Sequence, residues 1–411
     1  MSGWRTPWRR LAAASALGAA VGACARPQPT RPTQQPEVRV ALVVGASQVA
    51  VGGAGRLTAF ADGAAVFQAD NRPAAVRVDG RALVVGDSNA QRYERLTLVN
   101  PDPGGAVALN GRHYRGAIEV FVQGGGITAV NRLGLEDYLL GVVSGEMGRR
   151  ASNEVAALAA QAVVSRSYAL KNRGRNAAQG YDLQAGVADQ AYGGVEAESP
   201  EGTAAVRGTA GLVLTYRGEV ISAFFHSTCG YATATPPEAF RGIGDAPYLR
   251  SVSDRRPGGG YYCDISPRFR WTVQWDAATL RDILRRTATS VLGVSAETVD
   301  DLRDVHVERT GRSGRATEIR IRVGGGEIPV YAPDIRQVLL TPDGRPLGST
   351  AFQLHPEREG DRLVGLTAAG AGWGHGVGMC QWGAVGRARA GQDFREILTA
   401  YFPGAAIERW Y

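Results

Sequence analysis

The sequence predicts an α+β protein: a strand-rich mixed domain carrying a few packed helices, with an α/β subdomain inserted late in the chain. Three observations lead there. Short β-branched runs alternate with glycine turns from Val38 to about Val143, the pattern of successive strands. A long apolar stripe at helical spacing follows in "SNEVAALAAQAVVSRSYALKNRG". Strand texture then returns, broken between Trp271 and Leu347 by a helix and charged strands, before a short capped helix near the end.

Residues 1–24 read as an export signal. Arg5, Arg9 and Arg10 precede an apolar run from Leu11 to Val21 and small residues before Cys24, and that run is too short to span a bilayer comfortably. "VGAC" is similar to a bacterial lipobox, which implies a lipid on Cys24 and hence membrane attachment; a plainly cleaved signal is the alternative. Residues 25–37, rich in Pro, Gln and Thr, form an extended tether. No later stretch is apolar and long enough for a transmembrane helix.

The strand-rich part spans 38–130 and a central core 131–270. In the core helix, Ser152 or Asn153 can cap the start and Gly174 sits just past the end. Val155, Leu158, Ala159, Ala162 and Val163 form one stripe. Arg166 projects onto that stripe, so its guanidinium either finds a carboxylate or faces a polar cleft. Residues 271–347 are the inserted subdomain, with the helix "AATLRDILRRTATSVL" and the strands "HVERT" and "EIRIRVGG". Residues 348–411 return to the core. There Asp393 caps a helix, Glu396 completes a capping box, and Phe394, Ile397, Leu398, Tyr401 and Phe402 are its buried face.

The formal net charge of +7 comes almost wholly from arginine, Lys171 being the sole lysine. No basic run interleaves with stacking aromatics, which argues against a nucleic-acid site. A positive surface suits an anionic polymer or a membrane.

Two stretches carry chemistry. Glu146, in "GVVSGEMG", follows an apolar strand-like run between Gly145 and Gly148. A carboxyl at such a cleft edge is partly desolvated, which raises its pKa toward that of a general acid. The segment "AGWGHGVGMCQWGA" (371–384) combines bare backbone with the flat faces of Trp373 and Trp382 and the hydrogen-bonding groups of His375 and Gln381. Such a floor suits an extended, polyhydroxylated ligand.

Four stretches resemble the sporulation stage II protein D, or amidase-enhancer, family of bacterial cell-wall proteins: "LEDYLLGVVSGEM", "EVAALAAQAVVSRSYAL", "DQAYGG" with "FFHSTCG", and "GWGHGVGMCQWGA". "SPRFRW" and "AYFPGA" also fit. The resemblance implies a lytic transglycosylase that cleaves the bond between N-acetylmuramic acid and N-acetylglucosamine in peptide-poor peptidoglycan strands, leaving a 1,6-anhydro product, with Glu146 as the single acid and base. It implies a glycan-binding cleft lined by Arg166, Tyr168, Gln190, Tyr192, His226, His375 and Gln381 beside Trp373. The alternative is a glycan-binding module without activity that stimulates a cell-wall amidase. The family has proline where this chain has Gly148, which implies a looser turn after Glu146.

Beyond Cys24 stand Cys229, Cys263 and Cys380. One arrangement is a Cys229–Cys263 disulfide, favoured by export, with Cys380 free. Another is a structural zinc site of His226, Cys229, Cys263 and Cys380, since some family members hold zinc beside the active site. A third makes Cys380 a nucleophile activated by His375. The transglycosylase chemistry itself requires no cofactor.

Overall fold

The computed structural model describes residues 32–53, 55–86 and 91–411. The export signal, Cys24 and the start of the tether lie outside the described residues. Strand Glu37–Ala46 runs antiparallel to Gly126–Gly134, with Val38 opposite Leu133, and the latter forms a hairpin with Ala117–Gln123. The two-residue period places Val38 and Val40 fully inside and turns Arg39 toward Glu119. Among the described residues this sheet has seven strands, and a second sheet of six is built from residues 48–114. Both sheets share one apolar core with the helices that follow.

Those helices are α1 (Leu135–Met147), α2 (Val155–Asn172), α3 (Pro200–Gly208), α6 (Gln381–Arg389) and α7 (Phe394–Tyr401), whereas α4 (Ala277–Thr287) and α5 (Ile335–Val338) belong to a separate core. α2 is the central one: every residue from Ala157 to Ala169 is buried, because α1, α3, α6 and α7 pack around it. Among the described residues, no helix is long and apolar enough to cross a membrane.

Two local expectations are corrected. "LEDYLLGVVSGEM" is helical throughout, so Glu146 lies in the last turn of α1 rather than after a strand. The run is apolar on nearly all sides because the helix is buried, and a continuous apolar run does not reveal its period. Ser152 and Asn153 do not cap α2; with Glu154 they make a 3₁₀ turn ahead of it. The closing helix follows its capping pattern, Asp393 accepting from the N–H groups of Arg395 and Glu396 while Glu396 accepts from that of Asp393.

A second apolar core runs from Trp275 to Ala368. Asp276 caps α4 through the N–H of Thr279 at 2.8 Å. Strand Arg270–Asp276 pairs with Arg362–Ala371, which pairs with Phe352–Glu359. This core therefore draws on residues beyond Leu347. For the site, the decisive pairing is a short parallel one, Phe225 opposite Met379 and His226 opposite Cys380. It joins "FFHSTCG" to the glycine-rich segment, pairing residues 154 apart in the chain (379 − 225).

Candidate active site

Gly141 and Gly145, four apart on α1, leave one helix face bare. A Cβ on Gly145 would meet the Ala191 carbonyl at 2.9 Å, and one on Gly141 would meet the Tyr192 ring at 2.8 Å. Loop 189–194 therefore seats directly on the helix. Its Ala191 N–H donates to Glu146 Oε1 at 2.5 Å. α1 stops at Gly148, whose φ of 68° is left-handed and whose N–H returns to the Ser144 carbonyl at 2.8 Å. A proline cannot take that φ, so glycine here closes the turn in its own way rather than loosening it.

Gln381, the first residue of α6, reaches Glu146 Oε2 with its amide at 3.4 Å. Its orientation follows from a relay: Gln161 donates to Ser165 Oγ, leaving its own carbonyl to accept from Gln381. Burial pushes the Glu146 pKa up, and the Ala191 N–H and Gln381 amide only partly oppose that rise. The result is a carboxyl suited to hold a proton and release it.

Glu146 faces a cleft of about 520 Å³, with Tyr168, Phe240, Arg268, His375 and Gln381 among its walls. The fully exposed Val187 stands on the rim. His375 accepts the Val377 N–H at Nδ1, 3.1 Å away. Burial, with His226 next to it, pushes its pKa down to about 3, so the ring is neutral. The other acids near Glu146 in sequence are committed elsewhere or lie outside the cleft. Asp189 binds Tyr168, Arg175 and the Gln184 N–H; Glu154 pairs with Arg389; Asp137 does not line the cleft.

The structure brings Tyr168, His226, His375 and Gln381 to the cleft and leaves other expected residues away from it. Arg166 is 0% exposed and forms a two-pronged pair with Glu136, both contacts at 2.8 Å; it ties helices together and does not line the cleft. Gln190 lies below the floor, accepting from Tyr138. Tyr192 is buried and donates to Asn131 at 2.7 Å. Trp373 borders an adjoining cavity, beneath the Arg268 guanidinium. Trp382 lies outside the cleft, with Arg150 over its ring. Phe240 and Arg268 are cleft residues that sequence reasoning did not single out, since no spacing ties either to Glu146.

The glycines of 371–384 have a packing reason. A Cβ on Gly372 would lie 2.5 Å from the Thr228 carbonyl, and one on Gly378 would lie 2.0 Å from that of Phe224. Both residues also have positive φ. The loop is bare because it lies against residues 224–229, backbone to backbone.

A family model described as stage II sporulation protein matches residues 123–216, and a domain of unknown function matches 245–378. An uncharacterized protein of Brachyspira hyodysenteriae is 32% identical over 305 residues, covering 73% of each chain. The amidase enhancer of Bacillus subtilis is 28% identical over 66% of this chain and 40% of its own length. The chain belongs to the stage II sporulation protein D and amidase-enhancer family. Stage II sporulation protein D of Bacillus subtilis is likewise 28% identical, over 68% of this chain and 76% of its own.

In this family member a cluster of metal-ligating groups lies behind the cleft. Cys229, Asp254, Cys263 and Cys380 are buried, and one donor atom from each falls within 4.8 Å of all the others. Thiolates around a tetrahedral zinc sit about 3.8 Å apart, as follows from Zn–S bonds of about 2.3 Å. Cys380 Sγ accepts from the N–H groups of Cys229 and Gly383, at 3.1 and 3.2 Å. The Arg315 guanidinium, wholly buried, donates to the Cys229 carbonyl and leaves Nε and Nη1 without partners. An unpaired cation beside three thiols fits a negatively charged metal–thiolate centre. His226 is corrected: it is not among the four donors, and Asp254 stands in its place. Cys229 and Cys263 are free thiols with Sγ atoms 3.5 Å apart. No hydrogen bond joins His375 to Cys380 among the described residues.

Proposed function

We propose that this protein is exported and acts on the bacterial cell wall as a lytic transglycosylase of peptide-poor glycan strands. One observation carries the reading. Glu146 is a desolvated carboxyl on the cleft wall, held by a backbone N–H and an amide, while the cleft's other acid, Asp189, is fully engaged. Chemistry at this site must therefore run on one carboxyl. Protonated Glu146 gives its proton to the glycosidic oxygen as the bond from muramic C1 to that oxygen breaks. The carboxylate then takes the proton of the muramic C6 hydroxyl while O6 bonds to C1. Glu146 ends as it began and no water is consumed, so the second carboxylate of a hydrolase is dispensable. Tyr168 and Gln381 offer hydrogen bonds that place the sugar, beside the neutral His375 ring.

Cys229, Asp254, Cys263 and Cys380 would hold a zinc ion whose contribution is structural: a closed set of four ligands braces the strand pairing that carries Gln381. An N-terminal lipid on Cys24 would keep the protein at the envelope membrane. The name of the Bacillus subtilis relative supports a second reading, a glycan-binding protein that stimulates a cell-wall amidase without cleaving glycan.

Purified protein incubated with peptide-free glycan, its products read by mass spectrometry, separates the two. The first reading expects a 1,6-anhydro sugar that disappears in Glu146→Gln. Glycan bound by both proteins and cleaved by neither would leave the second.

A further inference from the structure

Three cavities border the glycine-rich loop. His375 borders both the Glu146 cleft and a second cavity of about 470 Å³, which Gly374 also lines. Trp373 borders a third, of about 350 Å³, and Arg336 and Pro346 are common to the second and third. Consecutive residues of one loop thus mark a path from Glu146 onto the inserted subdomain.

The lining of that path is aromatic and cationic. Trp271 and Trp373 flank Gly348, where a Cβ would lie 2.7 Å from Trp271 Nε1 and 2.9 Å from Trp373 Cε3. Glycine is required for the two indoles to stand so close. Arg268 lies over the Trp373 ring, 4.6 Å from its centre. Arg336 is anchored by Nε donating to the Leu347 carbonyl at 2.6 Å. Among the described residues, no carboxylate comes within ion-pairing distance of Arg268 or Arg336. The nearby acids are committed: Glu238 accepts from Thr235 and Ser313, and Asp334 pairs with Arg241. Arg336 is half-buried and Arg268 exposed; a half-buried guanidinium without a counter-charge is an anion site, because a carboxylate there makes charge-assisted hydrogen bonds that offset its desolvation, and the exposed one beside it adds to the same field.

We propose that the cleft continues over the glycine-rich loop to an anionic-glycan site on the inserted subdomain, where Arg268 and Arg336 take sugar carboxylates beyond the bond facing Glu146 and the tryptophans take ring faces. This rests on the glycan reading above and adds a specificity to it: a carboxylated glycan is preferred over a neutral one of the same backbone.

Calorimetry on the Glu146→Gln protein tests it, with peptide-free peptidoglycan oligomers as the carboxylated probe and chitooligosaccharides of equal length as the neutral one. The carboxylated probe should bind more tightly, and only its affinity should fall with added salt. Adding Arg336→Gln should weaken that affinity about tenfold or more and leave the neutral probe unchanged; Arg336→Lys should recover part of the loss. Should Arg336→Gln fail to fold, Arg268→Gln, at an exposed position, should lower the affinity of the carboxylated probe more than that of the neutral one and reduce its salt dependence. Affinity for the carboxylated probe that survives both substitutions overturns the proposal while the glycan reading stands. A protein that binds neither probe overturns both.

Discussion

Glu136→Gln separates the structural role of Arg166 from the cleft role that family resemblance implies. In the wild type, Arg166 Nε and Nη2 each reach a Glu136 oxygen at 2.8 Å, and Nη1 donates to the Leu212 carbonyl at 3.0 Å. Glutamine keeps the shape and one acceptor but strands a wholly buried guanidinium without a counter-charge. Breaking a buried pair this way costs about 3–5 kcal/mol. The Glu136 side chain is 21% exposed, so water reaches it and about 3 kcal/mol is the better figure. At roughly 2 °C per kcal/mol, the variant should melt about 6 °C lower at pH 7. Burial pushes the Glu136 pKa up, but Arg166, Tyr411 and the Gly211 N–H outweigh burial and hold it below its ordinary 4.5. Its contribution is complete above pH 4.5 and disappears as pH falls through the depressed native value, so the two proteins should converge in acid. Calorimetry across pH 3–7, with glycan turnover measured below both melting points, is the assay. Unchanged melting together with a raised KM would refute the assignment.

Two further expectations follow from the site. Turnover of peptide-free glycan should decline as pH rises through the elevated Glu146 pKa, because the acid must start protonated; Glu146→Gln should lower the rate by about 10²–10⁴ yet be at least as stable at pH 7, because a raised native pKa means that folding disfavours the carboxylate, and a markedly less stable variant would count against the desolvated placement. Protein prepared without chelator should contain stoichiometric zinc by elemental analysis, which Cys263→Ser and Asp254→Asn diminish and His226→Ala spares; stripping the metal should lower the melting temperature, and equal zinc content in all three variants would reject the four-ligand set.

The elements with local causes were legible in the sequence. Asp393 and Glu396 announce α7 because a capping box is complete within four residues. Alternation over Val38, Arg39 and Val40 marks the buried side where the first strand begins, because side chains there follow a two-residue period; the register shift after Ala41 ends that alternation and leaves Val44 exposed. Glu146 could be singled out as an acid between glycines in an apolar setting. Its usable geometry could not, because the Ala191 N–H and the Gln381 amide come from segments 45 and 235 residues away. Only the packing of loop 189–194 on the bare face of α1, and the parallel pairing of 225–226 with 379–380, bring them together. Arg166 shows the same division: its stripe said that the charge must be answered, and the fold supplied Glu136 from the neighbouring helix. Asp254 belongs to no motif and becomes a candidate ligand only where distant loops meet three thiols. Residue chemistry and short-range period are written along the chain, whereas which groups share a cavity depends on contacts whose partners no local pattern names.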